Sequence, residues 1–224
     1  LSLDIDNINF FVNKSYFPEG HSVFREVKKV LPGTFITFKL NETKVTSSSV
    51  STYWSFKEVV KESLMDPIDD YVLAKKNLEN LLNAKVKERM ISDVPLGAFL
   101  SGGYDSSLIV SLMQNNSMNK IKSFSIGFDS EIYNEAEDAK LISQHLGTDH
   151  RELYVSDKAL LETIYRLPSI YSEPFADSSQ IPTVLLSDLT KSEVTVSLSG
   201  DGGDEVFGGY GRYFLGQRVL NSLG

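Results

Sequence analysis

Two short stretches hold most of the candidate chemistry in this chain. The first is Ser101-Gly102-Gly103-Tyr104-Asp105-Ser106-Ser107, directly after the apolar run Leu96-Gly97-Ala98-Phe99-Leu100. It sets three serine hydroxyls and one carboxylate in a tight glycine turn between an expected strand and an expected helix. Gly102 and Gly103 let the backbone approach an anion with no side chain in the way. The N–H groups at the start of the next helix, its positive dipole end, then face that anion. Ser101, Ser106 and Ser107 add hydrogen-bond donors. Asp105 repels a phosphate, so its use is to hold a cation that bridges to phosphates. The arrangement suits a pyrophosphate group with a bound magnesium ion. It is not a Walker loop, because no lysine sits in the turn. The alternative is an ordinary strand-to-helix turn rich in capping residues.

The second stretch is Ser199-Gly200-Asp201-Gly202-Gly203-Asp204-Glu205-Val206-Phe207-Gly208-Gly209-Tyr210. Three carboxylates crowd among five glycines, and like charges at close range repel and raise one another's pKa. A bound cation or a proton-transfer task would offset that cost. A solvated acidic loop leading into a helix after Asp204 is the competing interpretation.

Both turns need elements to position them. An apolar pattern over residues 70–90 (Val72, Leu73, Leu78, Leu81, Leu82, Val86) predicts one long amphipathic helix. Strands are expected over residues 94–100, 121–128, 150–155 and 194–198, with helices from Ser106 to about Met113, from Asn134 to Leu146, over 157–165 and up to about Leu189. Asn134 and Glu137 have capping-box spacing, and Gly147 is a stop signal. Strands alternating with helices indicate a parallel α/β sheet, whose ligands sit beyond the carboxyl ends of the strands. Both glycine-rich turns lie at such ends. Upstream, Pro32-Gly33, a strand over 34–38 and a turn at Asn41-Glu42-Thr43 predict a small α+β piece. Residues 46–52 are either a linker or an exposed edge strand.

The chain has 224 residues, 41% of them hydrophobic and 23% charged, which is an ordinary globular composition. A net charge of −8 argues against a nucleic-acid binder that relies on a broad basic surface. With no cysteine, disulfides and thiolate metal sites are excluded. His21, His145 and His150 have no metal-ligand spacing and are expected at the surface or at helix ends. No signal peptide or membrane span is visible, so a cytoplasmic location is expected. The first residue is not methionine, from which we expect an excised or processed piece.

Taken in order, these stretches resemble the glutamine-dependent asparagine synthetase family within the ATP pyrophosphatase superfamily. Residues 100–107 resemble the family's SGGxDS pyrophosphate loop, and residues 123–128 its SFSIGF strand. Residues 134–150 resemble the helix ending in HLGTxH. Residues 174–182, with Asp177 and Ser179, resemble a DPSxxP-like segment, and residues 199–210 the SGEGxDExFGGY segment. Leu31-Pro32-Gly33, the strand after it and Tyr53-Trp54 resemble the end of the family's glutaminase domain. The resemblance implies two parts: residues 1–53 as the tail of a glutaminase-like domain and linker, and residues 54–224 as a synthetase domain lacking its carboxyl end. The implied fold is α/β, a parallel sheet flanked by helices (adenine nucleotide α hydrolase-like), preceded by a small α+β segment. The family's cysteine nucleophile and its downstream pyrophosphate-holding lysine have no counterpart here, so the isolated chain is expected to be inactive.

The implied activity is ATP-dependent amide formation through an acyl-adenylate, with ATP and Mg2+, a carboxylate such as aspartate, and ammonia from glutamine. A homodimer, too, is compatible with the resemblance. By the same resemblance, Ser101, Gly102, Gly103, Asp105, Ser106 and Ser107 hold ATP and pyrophosphate. Asp105 and Asp204 are the magnesium ligands, and Leu100, Ile126, Ser199 and Gly200 line the nucleotide. Without it, Leu100 and Ile126 would be read as strand-end packing. Asp201 stands where the family usually has a glutamate that takes a proton from ammonia. One methylene shorter, it points to an acceptor other than aspartate. Asp177 and Ser179 are read as helix-capping residues before Pro182, with the acceptor pocket as the alternative. Phe207, Tyr210, Tyr213 and Phe214 are expected to pack in a core, and Arg212 and Arg218 to lie at the surface. The other two functional readings are an adenylating synthetase with a different acceptor and a nucleotide-binding fragment without turnover.

Overall fold

The computed structural model describes residues 1–128 and 134–223, without the side chains of residues 217 and 223. The chain divides into two compact units, one of Leu1–Ala74 with Arg166–Ser178, the other of Lys75–Tyr165 with Ser179–Gly224.

In the first unit, helix α1 (Ile5–Lys14) is capped by Asp4, whose carboxylate accepts from the Asn7 N–H at 3.2 Å. Strands β1 (Thr34–Asn41) and β2 (Lys44–Thr52) form an antiparallel hairpin closed at Glu42-Thr43, with Glu42 in the left-handed region at φ 52°. Residues 46–52 are therefore strand. Every residue of β2 is exposed. Helix α2 (Phe56–Met65), which the sequence reading did not single out, starts at Ser55, whose Oγ accepts from the Glu58 N–H. Lys29 pairs with Glu173, and its ammonium lies over the Phe17 ring.

Helix α3 (Tyr71–Arg89) is the long helix the periodicity predicts, but its apolar face is not buried as a whole. Val86 is in the core, while Val72 is 74% exposed and Leu81 is 55% exposed. Its apolar positions spread around much of the helix and do not form one narrow stripe, so no single face can take them all into a core.

The second unit alternates β3 (Leu96–Phe99), α4 (Tyr104–Asn115), β4 (Lys122–Phe128), α5 (Ala136–Leu146), β5 (Asp149–Val155), α6 (Asp157–Ile164), a short α7 (Leu167–Ile170) belonging to the first unit, α8 (Gln180–Lys191), β6 (Val196–Leu198), α9 (Gly203–Phe207) and α10 (Gly211–Leu223). The sheet is four-stranded, in the order β5-β4-β3-β6, and wholly parallel. Ala98 and Leu100 face a core of Val86, Val110, Met113, Ile121 and Ala139, contributed by α3, α4, α5 and the start of β4. Successive strand residues point to opposite faces. Phe99 and Ser197 therefore look the other way, into a cavity of about 510 Å³ beside α8. The expected parallel sheet flanked by helices is thus present, preceded by the α+β segment.

Three local expectations are corrected. The capping box at Asn134 does not form; instead the Asn134 side chain accepts from the Ala136 N–H at 3.3 Å, and no side chain caps α5 at Glu135. Gly147 does end that helix, at φ 73°. His150 is half-buried, not freely exposed. Its Nδ1 lies 2.8 Å from Ser123 Oγ and its Nε2 3.1 Å from Ser125 Oγ, and burial lowers its pKa below the usual histidine value. Finally, Phe207, Tyr213 and Phe214 are exposed and Tyr210 is half-buried, so the aromatic set does not form a core.

Candidate functional site

Strand β3 delivers the first turn. The Leu100 N–H donates to the Phe124 carbonyl at 2.8 Å, which extends the β3–β4 pairing to the edge of the turn. The Leu100 side chain is 1% exposed and belongs to the core, so its backbone is what it can offer a ligand. Gly102 has φ 87°, a conformation that L side chains rarely adopt. A methyl there would also lie 2.9 Å from Asp138 Cβ and 3.1 Å from the Ala139 N, so the turn is seated against the start of α5.

The serines of the turn hold it together. Ser106, buried, accepts from the Ser101 N–H at 3.2 Å, and its Oγ lies 3.0 Å from Ser101 Oγ. Ser107 Oγ donates to the Gly103 carbonyl at 2.6 Å. Gly103 is the N-cap of α4, and no side chain caps that helix. The first-turn N–H groups of a helix have no partner within it, so this end is suited to an anion. Asp105 sits in the same turn, half-buried.

Strand β6, paired to β3 through Ala98 and Leu198, delivers the second turn beside the first. A methyl built on Gly200 would fall 2.6 Å from the Ser106 N and 2.8 Å from the Asp105 carbonyl carbon. One on Gly203 would overlap the Asp105 carboxylate. The two turns are therefore in van der Waals contact, and only glycine permits that approach. Asp204, next to Gly203 and half-buried, lays its carboxylate against Gly209, where a methyl would collide with it. Among the described residues, no group donates a hydrogen bond to the Asp105 or Asp204 side chain, and no cluster of three or more His, Cys, Asp or Glu residues forms. Asp201 is exposed, and its carboxylate accepts from Ser199 Oγ at 3.0 Å. Ile126 lies half-buried near the carboxyl end of β4, next to the β3 end that carries the first turn. Ser179 occupies the N-cap position of α8 without a side-chain cap bond.

Sequence reasoning missed one feature of the second turn. Tyr210 donates its hydroxyl proton to Glu205 Oε1 at 2.6 Å. That bond holds Glu205 below the usual carboxylate range and pushes Tyr210 up to about 12. The Arg212 guanidinium stacks over the Tyr210 ring at 4.1 Å and reaches the Tyr213 ring at 5.8 Å. An acidic residue and a tyrosine five positions apart carry no periodic signal, because the intervening Gly208 turns left-handed at φ 71°.

A family model described as asparagine synthase matches residues 77–222. The chain is 34% identical over 219 residues to a putative glutamine-hydrolysing asparagine synthetase 2 of Methanocaldococcus jannaschii, covering 97% of this chain and 41% of that protein. It is 31% identical over 215 residues to the glutamine-hydrolysing asparagine synthetase 1 of Bacillus subtilis, covering 95% of this chain and 32% of that one. The chain thus spans less than half the length of these curated relatives. Among solved structures, an NH3-dependent NAD synthetase of Campylobacter jejuni aligns over 61% of this chain and 60% of its own, at 14% identity and a TM-score of 0.42. No helix among the described residues is long and apolar enough to cross a membrane.

Proposed function

The chain belongs to the asparagine synthase family, and from that premise we infer that it carries the ATP-cleaving centre of an amide-forming ligase. The observation that carries this reading is the contact of the two glycine-rich turns, Gly200 and Gly203 against Asp105 and Ser106. It brings together two segments more than ninety residues apart in sequence.

In the proposed reaction a substrate carboxylate oxygen attacks the α-phosphorus of ATP. The bond to pyrophosphate breaks, and an acyl-adenylate forms. Ammonia then attacks the acyl carbon, loses a proton and expels AMP, leaving an amide. The first step needs in-line positioning and stabilisation of charge on the leaving pyrophosphate. Residues 101–107 would bind that group through the uncapped first turn of α4 and the backbone of Gly102 and Gly103. Asp105 and Asp204 would hold Mg2+. They fit a hard cation, as oxygen donors from abutting turns with no competing hydrogen-bond donor among the described residues. The ion would supply charge neutralisation at the phosphate oxygens. Leu100, Ile126, Ser199 and Gly200 would line the nucleotide. Asp201, exposed and oriented by Ser199, would accept the ammonia proton. An aspartate at this position favours a second reading, in which the acceptor is a carboxylate other than aspartate.

The remaining assignments follow from the same premise. Residues 1–53 are the tail of a glutaminase-like domain and its linker, and residues 54–224 are the synthetase part. The alignment with the archaeal relative, running through 97% of the chain, supports including that tail. Ammonia from glutamine, a cytoplasmic location and a homodimer belong to the proposal for the whole protein.

Calorimetry of this chain with ATP and Mg2+ tests the reading. Magnesium-dependent binding is expected, and Asp105→Ala should weaken it at least roughly tenfold, as loss of a direct ligand does. Binding that is unaltered in Asp105→Ala overturns the assignment.

A further inference from the structure

Glu205 is the carboxylate next to Asp204, and its position invites a role as a third metal ligand. The structure gives its Oε1 another task, accepting the Tyr210 hydroxyl at 2.6 Å. The residues on either side of that bond matter more than the bond itself. Glu205 follows Asp204 directly, and Tyr210 follows Gly209, the residue whose α-carbon backs the Asp204 carboxylate. The Gly209 N–H also donates to the Asp204 carbonyl at 2.9 Å. Three links therefore close one ring of chain from 204 to 210: a backbone bond, the carboxylate seated on Gly209, and the side-chain bond from Tyr210 to Glu205. Arg212 stacks on the Tyr210 ring, its guanidinium 4.1 Å from the ring centre.

We propose that Glu205 and Tyr210 form a clasp that aims Asp204 at the metal, so that Glu205 is a positioning residue acting through Tyr210 and not a ligand. This rests on the functional reading above. Helix α9 spans only Gly203–Phe207 and is bounded by two left-handed glycines, Gly202 and Gly208. A segment so short and so rich in glycine cannot fix a side chain by helical packing alone. The clasp supplies that constraint at the one point where the chain must return past Asp204. Partners of this kind, which orient a ligand without touching the ion, typically carry about ten- to a hundredfold in metal affinity.

The test is a Mg2+ titration of the chain with α,β-methylene-ATP, read by calorimetry, with the thermal midpoint recorded for each variant. Tyr210→Phe removes the hydroxyl and keeps the ring; it should raise the Mg2+ midpoint roughly tenfold. Glu205→Gln keeps an acceptor oxygen for Tyr210 and loses the charge; it should stay within about twofold of the unaltered chain, since the positioning contact survives. Gly209→Ala leaves the clasp partners in place and displaces the Asp204 carboxylate directly. It should shift the midpoint at least as far as Tyr210→Phe, which keeps the test decisive if Tyr210→Phe fails to fold. A midpoint raised by Glu205→Gln but not by Tyr210→Phe makes Glu205 a ligand and overturns the proposal. So does a midpoint that Tyr210→Phe leaves unmoved, whether or not Gly209→Ala moves it. Failure of the unaltered chain to bind the nucleotide with Mg2+ rejects the functional reading itself, before any substitution is made.

Discussion

The two glycine-rich turns, one rich in serine and the other in acidic residues, have opposite foundations. The first rises from a strand whose neighbours on both sides are paired, over a core that leaves Ala98, Val110 and Met113 with no exposure. Its serines bond to one another and to the turn backbone, with Ser106 buried among them. The second rises from β6, a three-residue strand at the sheet edge, and Asp201, Glu205, Val206 and Phe207 in it are exposed. Its order comes from local closure through Glu205 and Tyr210 and from leaning on the first turn through Gly200 and Gly203. Burial makes one turn rigid, whereas the other borrows its rigidity. A polar loop can be held in a functional shape by either route, but only the first resists a change in its neighbours.

The sharpest way to break this comparison is to part the turns. Gly200→Ala places a methyl against the Ser106 backbone, where no flexible side chain can yield. Overpacking of this kind costs about 1–3 kcal/mol. Displacing the second turn by about an ångström should also weaken MgATP binding up to roughly a hundredfold. Calorimetry and thermal melting of the variant check both. Retention of full affinity would show that the second turn does not depend on the first.

A smaller effect separates the turns by burial. Ser106→Ala removes the acceptor of the Ser101 N–H and should cost about 1–2 kcal/mol. Ser199→Ala, which frees the exposed Asp201 carboxylate, should cost under about 0.5 kcal/mol. Urea unfolding of the two variants sharpens the contrast; equal losses would erase it.

The smallest effect depends on pH and bears on the first turn's foundation. His150 sits between Ser123 and Ser125 of β4, the strand that pairs with β3 beneath that turn. Burial holds its folded-state pKa below the model-peptide 6.5, so the unfolded chain binds the proton more readily. Its contribution to stability is therefore complete above about pH 6.5 and is lost as pH falls through that value towards the lower folded pKa. His150→Asn should flatten the slope of thermal midpoint against pH in this window, while substitutions in the exposed second turn leave the slope unchanged.

The strands and helices around the first turn were legible because each combines a periodic apolar pattern with a glycine, serine or asparagine stop. Of the β1–β2 hairpin, the first strand and its turn were legible, whereas residues 46–52 stood open between linker and strand because every residue of β2 is exposed. Helices α1 and α2 were not singled out: each is only ten residues long with no buried residue, and its apolar positions are too few to stand out as a long run. The apolar residues of α3, which spread around the helix and do not form one face, and the aromatic residues from Phe207 to Phe214 misled in the opposite direction, since apolar residue type alone does not decide burial. His150 shows the same limit. A lone histidine at a strand start gives no sign that two serines of the adjacent strand will lie within hydrogen-bond reach of its ring.

By itself the sequence determined the chemical inventory: which side chains carry charge, which glycines free the backbone, and which family the order of motifs belongs to. Those are properties of residue type and local spacing, and they survive in the unfolded chain. That Gly200 and Gly203 would press against Asp105 and Ser106, and that Tyr210 would take Glu205 as its partner, was decided only by the tertiary structure. Contacts between segments more than ninety residues apart, and across a left-handed turn, depend on sheet order and close packing, and no linear pattern encodes either.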